Sequence, residues 1–221
     1  MTGTMTTFFI LCILALCSAN TTSFTYKEQN NGVICNTHFI VSANHEGYTV
    51  SASSTNDKEQ IRQEIVCDST FATLQWHYQS NLSTNISFQR FGNRIEVQGI
   101  FHGRPEKKVL EIEGHPWYQI IPLGLQTVLK DSSGRSKLWA ISLQKPAILK
   151  PVCFRITESA DGHLPGHPEI ACHYFHVKIE GLSVRIWFGD YFLRQDNHAF
   201  LYYEGHLFGS KKPTETIECV F

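Results

Sequence analysis

Residues 85–101 read NISFQRFGNRIEVQGIF, and they decide the fold class. Large apolar residues alternate with polar ones on both sides of Gly92-Asn93, a dipeptide suited to a tight hairpin turn. Side chains of a strand point alternately to the two faces of a sheet. The segment therefore predicts two antiparallel strands, Asn85–Arg90 and Arg94–Phe101, with one face buried.

The same pattern continues on both sides of this hairpin. Short alternating runs, interrupted by Gly, Asn, Asp, Ser or Pro, extend from Val33 to Val220 and predict about 11–13 strands. Pro122–Leu129 differs, because its apolar spacing fits one or two helical turns about as well as a strand, and we expect a short helix there. So many strands must curl to bury one face. We therefore expect an all-β fold with a single strongly curled antiparallel meander sheet, an open or half barrel, and at most one or two short helices.

The N-terminal residues resemble an export signal. The apolar run from Phe8 to Cys17 is shorter than the roughly 20 residues of a membrane-spanning helix, and the small residues Ser18 and Ala19 follow it. We expect residues 1–19 to be a signal peptide and residues 20–221 to form a single antiparallel β domain, secreted or periplasmic, without a stable transmembrane span. A lipid anchor at Cys17 is the alternative, disfavoured because Leu16 precedes the cysteine.

Composition and motifs argue against several functions. The formal charge of −1 offers no electrostatic basis for nucleic-acid binding. The sequence has no H-E-x-x-H, C-x-x-C or G-x-S-x-G motif. His163, His167, His173 and His176 cluster near Cys172, but His173 and His176 are three positions apart and face opposite sides of a strand. We therefore expect no metal, no cofactor and no enzymatic activity.

Five cysteines follow the predicted signal peptide, which leaves one unpaired if two disulfides form. Folding the chain about the turn-rich residues 161–168 places Cys153 nearly opposite Cys172, which predicts a disulfide between them. A Cys35–Cys67 disulfide then follows by elimination, and Cys219 is the unpaired cysteine. Five free thiols are the alternative.

Three segments resemble an uncharacterised family of exported bacterial proteins. Residues 112–119 read IEGHPWYQ, residues 138–141 read LWAI, and residues 185–205 read RIWFGDYFLRQDNHAFLYYEG. The family has an I-x-G-x-P-W-x-Q stretch, an F-W-x-I strand and an aromatic terminal block that ends in F-L-R-Y-E-G. The resemblance covers about residues 90–221. It implies a curled antiparallel sheet similar to the periplasmic lipoprotein carriers, and it implies no activity.

The aromatic residues are the candidate site. Trp117, Trp139, Trp187, Phe188 and Tyr191 lie on or beside successive predicted strands, where inward rings would line an apolar pocket. Arg185, or alternatively Arg194, would bind an anionic head group of the ligand at the entrance of this pocket. We expect a non-enzymatic binding protein for a hydrophobic small molecule, such as a lipid or acyl chain, or for a lipoprotein. The alternatives are a partner-docking protein whose aromatics fill a solid core and, third, a secreted hydrolase.

Overall fold

The computed structural model of the chain describes residues 21–30, 33–56, 59–130, 136–144, 148–180, 187–207 and 212–220. The predicted signal peptide at residues 1–19, the alternative lipid anchor Cys17 and the head-group candidate Arg185 lie outside these ranges. No helix within the described ranges is long and apolar enough to cross a membrane.

The described residues form 14 strands of one sheet and a single helix. The first eight strands are β1 Thr21–Asn30, β2 Val33–Ala43, β3 Gly47–Thr55, β4 Gln60–Asp68, β5 Thr73–Ser80, β6 Thr84–Phe91, β7 Arg94–Phe101 and β8 Arg104–Glu111. The helix, α1, is Ile121–Lys130. The remaining strands are β9 Lys137–Gln144, β10 Ile148–Leu164, β11 His167–Ile179, β12 Trp187–Arg194, β13 Phe200–Leu207 and β14 Glu215–Cys219.

The strand order is that of a meander with an unusual centre. It runs β8-β7-β6-β5-β4-β3-β2-β1-β14-β13-β12-β11-β10-β9, and the described pairs are antiparallel. The first and last strands therefore pair in the middle, whereas β8 and β9 are the two edges and do not pair with each other. This arrangement confirms the predicted all-β, curled, open meander.

Alternation along the strands explains which face is buried. In β6 the burial alternates, with Thr84, Ile86 and Phe88 inside and the residues between them exposed. Cross-strand pairing joins such residues into a lateral row on the inner face, which is the concave side of the curl. The row consists of Val41, Val50, Ile65, Trp76, Phe88 and Val97.

The chain crosses from one edge of the sheet to the other through Pro116–Gln119, here called the crossover segment. Trp117 O accepts a hydrogen bond from Thr73 N of β5 at 2.7 Å, and Tyr118 N donates to Trp139 O of β9 at 2.7 Å. The Gln119 side chain pairs with Ile141 as a strand would: its nitrogen donates to Ile141 O at 3.1 Å and its oxygen accepts from Ile141 N at 3.0 Å. The segment thus ties the edge strand β9 to the opposite half of the sheet.

One strand was missed by the sequence analysis. β1 comes directly after the predicted leader and is rich in Thr, Ser and charged residues, so no apolar run marks it. Its inward positions nonetheless hold Phe24 and Tyr26, and its partners β2 and β14 supply the rest of its environment. Pairing with β2 along its whole length and with β14 along its second half, rather than an apolar run of its own, makes this segment a strand.

The predicted Cys153–Cys172 disulfide is wrong for this structure, because both residues are free thiols. The turn between β10 and β11 falls at Pro165-Gly166, later than the sequence suggested. Cys172 therefore lies opposite Gly162, while the Cys153 carbonyl accepts from Glu180 N at 2.8 Å. Residues 172 and 180 are eight positions apart, or about 26 Å of strand. That separation is far beyond disulfide reach.

The predicted Cys35–Cys67 disulfide is absent for a similar reason. Both residues are free, as is Cys219. Cys67 of β4 lies opposite Tyr48 of β3, and Tyr48 lies opposite Ala43 of β2. Cys35 is eight positions from Ala43 along β2, so the two sulfurs are separated both across and along the sheet.

Candidate functional site

The inner face of the sheet carries two core clusters rather than one continuous core. One cluster is centred on β3–β8 and includes Ile65 and Phe88, and the other is centred on β11–β14 and includes Phe175 and Tyr203. Phe24, Phe39 and Phe71 contact both clusters and are only partly buried. Large rings that remain partly exposed on an otherwise buried face indicate an opening between the clusters.

A cavity of about 290 Å³ occupies this junction, and we call it the inner cavity. Strands β1–β4 and β12–β14, together with the crossover and α1, supply its walls. Its apolar lining is Phe24, Tyr26, Phe39, Val41, Val50, Ile65, Phe71, Ile120, Ile121, Pro122, Leu123, Tyr191, Ala199, Phe200 and Ile217. Concave, mostly apolar sites with a few polar groups are the usual form of small-molecule sites.

Helix α1 covers one side of the inner cavity and is fixed by close packing. A β-carbon added at Gly124 would lie 2.7 Å from Cγ of Tyr118, so glycine lets the helix approach the crossover segment. Leu125 is fully buried in the second cluster. Thr127 Oγ1 donates to Thr70 O at 2.8 Å and joins the helix to the turn between β4 and β5.

That turn presents Phe71 to the inner cavity in a strained conformation. Phe71 has a φ of +61°, which bulky L-residues rarely adopt. Asp68 Oδ1 accepts from Thr70 N at 2.7 Å and from Ala72 N at 3.0 Å, and the Phe71 ring stacks on Tyr48 at 4.1 Å. These contacts hold the ring at the cavity wall. Backbone strain of this kind is often found at ligand sites.

The polar groups of the described lining are few and carry one charge. They are Glu28, Gln63, Gln119, Gln126 and Asn197. Gln63 Oε1 accepts from Trp76 Nε1 at 3.0 Å, which leaves its amide nitrogen as a donor. Burial raises the pKa of Glu28. The inner cavity therefore offers neutral hydrogen-bonding groups and disfavours a second negative charge beside Glu28.

The predicted aromatic residues do not converge on one point. Tyr191 lines the inner cavity. Trp117 is fully buried in the first cluster, and Trp139 packs against that cluster while its Nε1 donates to Glu113 O at 3.3 Å. Trp187 covers Gly189 and meets Phe154 edge-on at 5.5 Å.

Phe188 and Arg194 lie on the opposite, outer face of β12, because their positions alternate with Tyr191. Phe188 stacks on His206 at 4.7 Å. The Arg194 Nε lies 3.1 Å from Asp196 Oδ1. Neither residue belongs to the lining of the inner cavity. The lining that sequence reasoning missed includes Phe24, Phe39 and Phe71, whose convergence depends on strand pairing and on a strained turn.

A larger open pocket of about 780 Å³ lies on the outer face of β4–β8. Much of its lining consists of exposed polar side chains, among them Gln75, His77 and Gln98. Such a surface remains hydrated and gives little hydrophobic gain on binding. We therefore regard the smaller inner cavity as the candidate functional site.

Comparison with known proteins supports the fold alone. No family model matches the chain, and no curated protein matches it significantly. The chain is similar in structure to a beta-barrel-like protein of domain of unknown function DUF1849 from Brucella abortus, with a TM-score of 0.50 and 8% identity over 90% of this chain and 93% of that chain. A DUF1329 family protein from Desulfovibrio piger matches with a TM-score of 0.28 and 7% identity, over 94% and 87% of the two chains. The first likeness agrees with the curled all-β architecture, and the family resemblance of residues 90–221 stays a prediction.

Proposed function

We propose that this chain is an exported, non-enzymatic binding protein that holds a hydrophobic ligand in the inner cavity on the concave face of its sheet. The observation that carries the proposal is the division of the inner-face core into two clusters with an apolar cavity between them. A protein whose aromatics served stability alone would gain more from closing this gap, because unfilled space forfeits packing contacts.

The volume of the inner cavity limits the ligand. About 290 Å³ lies at the lower end of the range for small-molecule sites. A single acyl or alkyl chain fits this limit better than a whole multi-chain lipid. If the physiological ligand is a lipoprotein or a phospholipid, we expect one of its chains to enter while the remainder stays outside.

The charge of the lining limits the head group. Glu28 is the charged residue of the described lining, and the polar residues beside it are amides. A ligand with a neutral or cationic polar end avoids repulsion with Glu28, whereas a carboxylate or phosphate head group beside Glu28 would be repelled. This differs from the anionic head group expected from the sequence.

The two alternatives have less support. A partner-docking protein with a solid core does not account for partly exposed rings around an inner cavity. Glycoside hydrolysis requires two carboxyl groups that flank the substrate. The described lining of the inner cavity contains one carboxyl group, that of Glu28.

A series of neutral n-alcohols tests the proposal. Delipidated protein should bind the neutral fluorophore N-phenyl-1-naphthylamine, and alcohols from hexanol upward should displace it. Each buried methylene contributes about 0.8 kcal/mol, so the Kd should fall about fourfold per added carbon. The gain should stop abruptly once the inner cavity is filled. The measurement is the displacement constant of each alcohol.

Decanoate serves as the charged counterpart of 1-decanol. It should bind about tenfold or more weakly at neutral pH, because its carboxylate approaches Glu28. In the variant Glu28→Gln the difference between the two ligands should shrink. Absence of saturable fluorophore binding, or affinities that rise without limit as the chain lengthens, would contradict a bounded cavity.

A further inference from the structure

The outer face of β11–β13 carries a row of histidine and carboxylate side chains, the types that commonly bind metals. His176 of β11 lies directly opposite Asp190 of β12, which lies directly opposite Glu204 of β13. His206 is two residues beyond Glu204, so it points to the same face. This face is opposite to the inner cavity, and the row is separate from the candidate ligand site.

The ligand atoms of three of these residues converge. One donor atom each from Asp190, Glu204 and His206 lies within 4.8 Å of the others. Among the residues that the structure describes, this is the one set of three possible ligands that converges in this way. A tetrahedral zinc ion places its ligand atoms about 3.4 Å apart. Side-chain rotations that move the donor atoms by about an ångström would therefore let all three coordinate one zinc ion, without a change in the strands.

This row brings two carboxylates close together, each beside a histidine. Asp190 and Glu204 form a directly opposed cross-strand pair, and like charges in that position repel. Their side chains are 13% and 26% exposed, so water screens the repulsion only in part. His206 Nε2 lies 3.5 Å from Glu204 Oε1 and is itself 14% exposed. A bound divalent cation would compensate both negative charges.

Neighbouring side chains orient the ligands. Tyr174 donates its hydroxyl to Asp190 Oδ1 at 2.8 Å, and His176 Nδ1 lies 2.5 Å from the same oxygen. Phe188 stacks on the His206 ring with an interplanar angle of 9°. Metal-binding carboxylates and imidazoles are usually held in this way by a surrounding shell of hydrogen bonds and packing.

We propose that Asp190, Glu204 and His206 bind a divalent transition-metal cation on the outer face of β11–β13. Imidazole favours zinc and its neighbours in the first transition row over magnesium or calcium. Three protein ligands leave a fourth position for water, as in open zinc sites. The cation would link β12 to β13 across the sheet.

Zinc titration of tag-free, chelator-treated protein tests the site. Isothermal titration calorimetry should show one Zn²⁺ per chain. The substitutions Asp190→Asn and His206→Gln should each weaken the affinity by about 100-fold or more, because each alters a direct ligand and the loss of an outer-shell partner alone costs about 10–100-fold. Asp161→Asn is the matched control, because Asp161 Oδ1 and His173 Nδ1 form a similar pair at 2.8 Å outside any three-ligand group of the described chain. This control should leave zinc affinity unchanged.

Three results would overturn the assignment: no zinc uptake by the wild type, equal affinity in Asp190→Asn and the wild type, or an equal loss in the control. X-ray absorption of the zinc-loaded wild type removes dependence on the folding of the variants. The spectrum should show oxygen and nitrogen ligands with one imidazole, and a sulfur shell would contradict the site. Asp190→Asn should bind N-phenyl-1-naphthylamine normally, so this test and that of the inner cavity fail independently.

Discussion

Replacing Trp117 with alanine should lower the free energy of unfolding by about 3–5 kcal/mol, the usual cost of truncating a buried aromatic residue. The Trp117 side chain is fully buried against the first core cluster, with Phe88 at 6.5 Å. Its Nε1 donates to Gln119 Oε1 at 3.0 Å, and the same oxygen accepts from Ile141 N. Truncation would therefore leave a void and loosen the crossover segment that ties β9 to the sheet.

Urea denaturation followed by circular dichroism measures this effect. Phe91→Ala is the control, because Phe91 is 55% exposed on the sheet and its loss should change stability by about 0.5 kcal/mol or less. Equal stability of Trp117→Ala and Phe91→Ala would show that the crossover segment does not pack inside the curl as described.

Replacing Ala199 with tryptophan should abolish ligand binding, with at least about a hundredfold loss of affinity for 1-decanol. Ala199 contributes to the lining of the inner cavity immediately before β13, and its backbone N donates to Asn197 Oδ1 at 2.8 Å. An indole at this position would take the space that the alkyl chain needs. Because the added ring fills an existing cavity, the fold should be retained.

Fluorophore displacement measures the loss, with Ala160→Trp as the matched control. Ala160 is exposed on β10 and lies outside the lining of the inner cavity, so the same added ring there should leave the Kd of 1-decanol unchanged. Far-ultraviolet circular dichroism should show the same strand content in both variants. Undiminished binding by folded Ala199→Trp would place the ligand elsewhere.

Local pattern predicts the strands of this protein well where one face is buried. β6 and β7 follow from alternation and from Gly92-Asn93, which indeed turns the chain between Phe91 and Arg94. The apolar spacing of residues 122–129 allowed either a helix or a strand, and the structure has the expected helix there. β1 was not predicted because no apolar run marks it, and no local signal indicates its pairing with the C-terminal strand β14.

Register is the quantity that sequence reasoning could not supply. A turn-rich stretch at residues 161–168 allows several centres, and the actual one separates Cys153 from Cys172 by most of the length of the hairpin. The pairing of β12 with β13 places Asp190 directly opposite Glu204, a cross-strand contact that the sequence allowed but did not establish. The inner cavity depends further on Phe24 and Phe39, which face each other across β1 and β2.

The central claim is that an alkyl chain binds inside the curl of the sheet, and methyl-resolved NMR tests it most directly. With 1-decanol bound to Ile- and Val-methyl-labelled protein, nuclear Overhauser effects should connect the chain to Val50, Ile65 and Ile217, which line the inner cavity. Val109 and Ile40, exposed on the outer face, should show none. Contacts to Val109 or Ile40, with none to the three cavity residues, would contradict the account.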